Sequence, residues 1–95
     1  MTERVFQAKF IKKLRKKGWE VLKNDANLHK GIPDLLVLSP FGECFFVEVK
    51  QSAKAERTSL QIWWSKRLKD MGQWHFWLYP ENEKEVLTKM GFYDN

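Results

Sequence analysis

The stretch PDLLVLSPFGECFFVEVK, residues 33 to 50, decides how this sequence is read. Two apolar runs, Asp34 to Leu38 and Cys44 to Lys50, flank Ser39-Pro-Phe-Gly42, a turn signal, so the stretch is expected to form a β-hairpin. It is the most apolar part of a charged chain, yet it carries Asp34 near its start and Glu48 and Lys50 at its end. Burying a charge is costly unless the charge is paired or bound to a metal. Side chains alternate across a strand, so Glu48 and Lys50 share one face with Phe46, whereas Phe45, Val47 and Val49 take the other face and read as core. Asp34, Leu36 and Leu38 share a face of the partner strand. The hairpin is expected to bring Asp34 beside Glu48 at the open strand ends. Two carboxylates next to an amine, with no histidine, make an oxygen-rich site suited to Mg²⁺ or Mn²⁺ rather than Zn²⁺. The plainer reading makes Asp34 a turn residue and Glu48–Lys50 a solvated pair at a sheet edge.

The flanking sequence supplies the rest of an α/β domain. Thr2 reads as an N-cap and residues 3 to 17 as a helix, with Phe6, Phe10 and Leu14 on one stripe and Lys9, Lys12, Lys13 and Lys16 on the opposite side. Gly18 ends it, and Trp19 to Lys23 alternates as a strand. Residues 24 to 31 form a loop. Thr58 to Met71 is a second helix followed by Gly72, Trp74 to Tyr79 is a strand ended by Pro80, and Glu81 to Met90 is a last helix closed by Gly91. The order α-β-β-β-α-β-α predicts a mixed central sheet flanked by helices. The second helix is expected to bury Leu60, Trp64, Leu68 and Met71 and to leave Ile62 and Trp63 outside. That excess of apolar surface points to a homodimer. Cys44 is expected in the core.

Two further polar residues face the site on a helical wheel. Glu3 lies on the Phe6–Phe10–Leu14 stripe, although an acid in a first helical turn is also favoured by the helix dipole. Gln61 lies at the edge of the second helix's buried stripe. Thr58-Ser-Leu-Gln61 also reads as a capping box, which would occupy the same side chain.

At 95 residues the chain is expected to be one domain, 1–95. Its formal net charge of +5 and pI near 9.4 suit a polyanionic partner. Cys44 is the only cysteine, which excludes an intrachain disulfide and a multi-cysteine metal site. No apolar run is long enough to span a bilayer, and residues 1 to 18 are too charged for a secretory signal, so an intracellular protein is expected. The lysines at 9, 12, 13 and 16 are candidates for phosphate contact, as are His29, Lys30, Lys54 and Arg57. The alternative for such residues is a plain solvated surface. His75 has no Cys or His partner at metal-ligand spacing.

Asp34 followed by Glu48-Val49-Lys50 resembles the motif that names the PD-(D/E)XK nucleases. Gly31-Ile-Pro-Asp34, Glu48-Val-Lys50 and Gln61-Ile-Trp-Trp64, with Glu3 ahead of them, are similar in order and setting to the small stand-alone VRR-NUC domains, many of them phage-encoded. The match spans residues 3 to about 78. The resemblance implies a restriction-endonuclease-like fold and a DNA endonuclease that uses Mg²⁺ or Mn²⁺. Asp34, Glu48 and the main-chain carbonyl of Val49 would bind the metal, and Glu3 would complete the acidic site. Lys50 would orient or activate the attacking water, and Gln61 would support it. Hydrolysis would leave 5′-phosphate and 3′-hydroxyl ends. With little room for base reading, branched DNA such as a Holliday junction is the expected substrate, cut by a homodimer in the cytoplasm of a bacterial host. A flap nuclease, an RNA-processing nuclease and a non-catalytic binding module of the same fold are the rivals.

Overall fold

The computed structural model of the chain describes residues 1–24 and 30–94. Helix α1 (Glu3–Lys16) starts where the Thr2 hydroxyl accepts the Val5 N–H at 3.1 Å, and it buries Phe6, Phe10, Ile11 and Leu14. Strand β1 (Glu20–Lys23) pairs antiparallel with β2 (Leu35–Leu38), which pairs antiparallel with β3 (Cys44–Val49). Helix α2 (Ser59–Asp70) then crosses over, so that β4 (Trp74–Leu78) lies parallel to β3 at the sheet edge. A single 3₁₀ turn, Pro80–Asn82, leads into α3 (Glu83–Met90). The order of elements agrees with the sequence reading, apart from this turn and one- or two-residue shifts at element ends.

The sheet has two unlike faces. Val21, Leu35, Val37, Phe45, Val47, Val49 and Leu78 form one face and pack against α1 and α3 in the core, with Trp19, Val86, Leu87 and Met90. This is the β3 face expected to be core. The other face carries Phe46, Glu48, Lys50, His75 and Trp77, and α2 lies on it, against β4.

Two expectations fail on that second face. Leu60 and Met71 are 44% and 56% exposed rather than buried, and Trp64 is only half-buried, so of the expected stripe Leu68 alone is fully covered. The inward stripe of α2 instead runs Gln61, Ser65, Leu68. Gln61 bonds to Lys50 and Ser65 bonds to His75, and these two polar contacts set the rotation of the helix. Cys44 is exposed rather than in the core, because it opens β3 on the same face as Phe46, at the end that α2 does not cover. Trp63 and Ile62 are exposed, as expected.

Gly31 joins the segment before β2 to α2. Its φ is +83°, and a Cβ built there would lie 2.5 Å from Leu60 Cγ and 2.9 Å from the Leu60 carbonyl carbon. Only glycine allows this close approach.

Candidate active site

The site forms where β2 and β3 part. The β2–β3 register pairs Leu35 with Val47, and continued by two residues it sets Val49 opposite Pro33. Proline has no N–H to give to the ladder. The Val49 N–H donates instead to Asp34 Oδ2 at 2.9 Å, which fixes the Asp34 carboxylate at the strand end. In an antiparallel ladder the N–H and C=O of one residue point the same way. The Val49 carbonyl therefore faces the same opening, and Pro33 offers it no ladder donor. Pro33 thus frees both polar groups of Val49, a role that the sequence reading missed although the PD dipeptide was in view.

Glu48 is 3% exposed and comes from the site face of β3. Burial chiefly raises its carboxyl, helped by a hydrogen bond and the negative charge from Asp34, to about 9; Lys50 opposes this and Glu3 adds slightly to it. At neutral pH the metal-free Glu48 carboxyl is therefore held in its protonated form, in hydrogen-bond contact with Asp34. Like charges at hydrogen-bond range cannot both ionise without a cation between them. Glu3, in the first turn of α1, is largely exposed, yet its carboxyl is also raised, first by partial burial and then by Asp34. The helix start thus faces the carboxylate pair, as its position on the stripe predicts.

Lys50 stands on the other side of Glu48. Its Nζ donates to the Glu56 carbonyl and to Gln61 Oε1, both at 2.8 Å. Gln61 Oε1 also accepts the Thr58 N–H at 3.0 Å, while Thr58 Oγ1 accepts the Gln61 N–H at 3.1 Å. Both readings of Gln61 therefore hold at once. The capping box of α2 fixes the oxygen that fixes the lysine, which makes Thr58 and the Glu56 carbonyl part of the same support. A main-chain acceptor such as Glu56 leaves no sequence signal.

Among the described residues no three His, Cys, Asp or Glu side chains gather closely enough to make a ready metal cage. The donor set is nonetheless a hard-cation set: two carboxylates in contact, a strand-end carbonyl and a third acid nearby, all oxygen. The residues present therefore fit a hard divalent cation.

The remaining expected contact residues are dispersed. Lys9, Lys12, Lys13 and Lys16 are exposed on α1, across the sheet from Glu48, and Lys13 pairs with Glu83 at 3.2 Å. Lys30, Lys54 and Arg57 are exposed, and the Arg57 guanidinium lies 4.2 Å from the Trp77 ring centroid. His29 lies outside the described residues. His75 is buried and bonds through Nδ1 to Ser65 Oγ at 3.2 Å, a structural rather than a ligating environment.

No protein-family model and no curated protein matches the sequence. Among solved structures, a chain described as a "VRR_NUC domain" is similar at a TM-score of 0.77 and 26% identity, over 94% of this chain and 97% of that one. A four-stranded mixed sheet flanked by helices, with an acidic pair and a lysine at the strand ends, is a restriction-endonuclease-like fold of the PD-(D/E)XK class. Within that class the chain is similar to a VRR-NUC domain over nearly its whole length.

Proposed function

We propose that this domain is a divalent-metal-dependent DNA endonuclease acting on branched DNA, such as a Holliday junction. The observation that carries the proposal is the contact of the Asp34 and Glu48 carboxyls beside a lysine whose ammonium is fixed by two acceptors. Asp34, Glu48 and the Val49 carbonyl would hold Mg²⁺ or Mn²⁺, with Glu3 beside them. A bound ion supplies Lewis-acid polarisation of the phosphoryl group and a water of lowered pKa. Lys50 places its ammonium where charge develops on the phosphorus oxygens. Gln61, held by Thr58, keeps that ammonium aimed, and Glu3 orients the water on the open side. The product ends are a 5′-phosphate and a 3′-hydroxyl.

The domain would work as a homodimer, two active sites meeting two strands of a junction. Leu60, Ile62, Trp63 and Met71, all exposed on α2, supply the apolar surface for it. No helix among the described residues is long and apolar enough to cross a membrane. A bacterial cytoplasm, with a phage or its host as source, fits such an enzyme. The test is cleavage of a four-way junction, a flap, a linear duplex and a structured RNA, with Mg²⁺, with Mn²⁺ or with EDTA. Metal-dependent paired nicks in the junction, lost in Asp34→Asn and Lys50→Ala proteins that remain folded, are the expected result. Metal-dependent cutting of the flap or RNA alone would reassign the substrate, and no cutting with tight DNA binding would make the domain a binding module.

A further inference from the structure

The parallel register sets Trp77 beside Glu48 on the same face of the sheet. From there a cleft runs around the open edge of β4, between α2 and α3. One part of it, about 300 Å³, is lined by Arg57, Lys69, His75, Trp77, Glu85 and Lys89, among others. A neighbouring part of about 430 Å³ shares Arg57, Lys69 and Trp77.

The charges in the cleft are unbalanced. Lys89 is paired with Glu85 at 3.5 Å, and Lys66 with Asp70 at 3.7 Å. Arg57 and Lys69 have no carboxylate within ion-pair distance among the described residues. Both are exposed, and the Arg57 guanidinium carbon sits over the Trp77 ring. Both also act on His75 below them, whose imidazole is pushed down to about 4, first by burial and then by the charges of Lys69 and Arg57. A neutral histidine there keeps a third cation out of the cleft floor. The edge itself is partly closed: Asn82 Nδ2 donates to the Trp77 carbonyl at 2.8 Å, and Asn82 Oδ1 accepts the Tyr79 N–H at 2.9 Å. A peptide strand adding to β4 would find these groups already taken. A chain of phosphates needs only the cations.

Resting on the nuclease reading above, we propose that the nucleic-acid strand leaving the Asp34–Glu48 site runs along the β4 edge, its phosphates on Arg57 and Lys69. This surface lies beside the active centre. The α1 lysines lie across the sheet from it and make the natural comparison.

The test measures binding of a 5′-labelled 20-nucleotide single strand, and of a four-way junction, in EDTA across a range of salt. The proteins are wild type, Arg57→Gln/Lys69→Gln, Arg57→Lys/Lys69→Arg and Lys12→Gln/Lys16→Gln. The neutralised cleft should bind the single strand about ten-fold more weakly at moderate salt, with a log–log salt slope shallower by about 1.4, two contacts at about 0.7 each. The charge-conserving pair should retain the wild-type slope, which a purely structural role would not predict. Wild-type binding in the neutralised cleft, or the same loss in the α1 pair alone, would overturn the assignment. Cleavage is scored separately with Mg²⁺. A wild type that cuts while the cleft variant keeps its slope refutes the strand path alone. A wild type that binds through the cleft and never cuts refutes the nuclease reading alone.

Discussion

Glu48→Gln should make the metal-free protein more stable while abolishing its activity, and the gain should depend on pH in one direction only. The folded carboxyl is raised from 4.5 to about 9. A group whose folded pKa lies above its unfolded value stabilises fully below the unfolded pKa, and that contribution is lost as pH rises towards the folded one. Folding must therefore take up a proton at Glu48 throughout the window from 4.5 to about 9. The cost grows by about 1.4 kcal/mol per pH unit and reaches about 3 kcal/mol at pH 7. Glutamine is close in shape, is neutral at every pH, and its amide can donate to Asp34 as the protonated acid does. For a domain of this size, about 3 kcal/mol corresponds to a rise of roughly 15 °C in Tm. The assay is calorimetry in EDTA from pH 4.5 to 9, comparing wild type with the variant. The two should melt together near pH 4.5 and separate steadily above it. Adding Mg²⁺ should raise the wild type, with proton release, and leave the variant where it was. A variant whose Tm runs parallel to wild type at all pH values would mean that Glu48 is already ionised in the metal-free fold, and the description of a buried, protonated carboxyl would be wrong.

The other predictions use the rest of the frame. Gly31→Ala should cost about 1–3 kcal/mol more in urea unfolding than Gly18→Ala or Gly72→Ala; the three share φ near +80°, but only Gly31 would press a Cβ into Leu60, so equal costs would refute the close approach. His75 has its folded pKa lowered from 6.5 to about 4, so its contribution is present above 6.5 and lost as pH falls through that window. In the Glu48→Gln background, His75→Phe should remove a loss of about 1.4 kcal/mol per pH unit there, and an unchanged acid limb in thermal melts would count against a buried neutral imidazole. Trp63→Glu should convert a dimer to a monomer in sedimentation at micromolar concentration; a wild type that is already monomeric, or a variant that stays dimeric, would move the interface off this face of α2.

How much of this could be read from the sequence depends on whether a residue's neighbours are near it in the chain. Helix and strand limits were legible because Thr2, Gly18, Thr58 and Gly91 act on their own segments. Asp34, Glu48 and Lys50 were legible because a hairpin with a short turn fixes which residues face each other, and period-two alternation then fixes the shared face. The rotation of α2 was not. Leu60, Trp64, Leu68 and Met71 fall within about 80° of one another on a wheel, so the wheel offers that apolar stripe and, beside it, the more polar one of Gln61 and Ser65. The choice among them is made by Lys50 and His75, distant in sequence, which take Gln61 and Ser65 as partners and turn the larger side chains outward. Cys44 was misplaced for a related reason: alternation gives the face of a strand, not whether anything covers that face.

The same division explains how the fold tolerates a buried acid. β3 sends Phe45, Val47 and Val49 into the core and Phe46, Glu48 and Lys50 into the site, so one strand serves both without mixing them. The described apolar core lies on the α1–α3 side, where Phe10, Leu14, Val47, Val49 and Leu87 are fully buried, and burial of each such side chain contributes about 1.5–3 kcal/mol. One or two of them offset the roughly 3 kcal/mol that Glu48 costs at pH 7. The opposite face, covered among the described residues by α2, is left free to hold a carboxyl pair and a fixed lysine, and to leave leucine and tryptophan exposed. A site so placed can change its protonation or bind an ion without disturbing the packing that supports it, because the backbone of β3 is fixed from the other side.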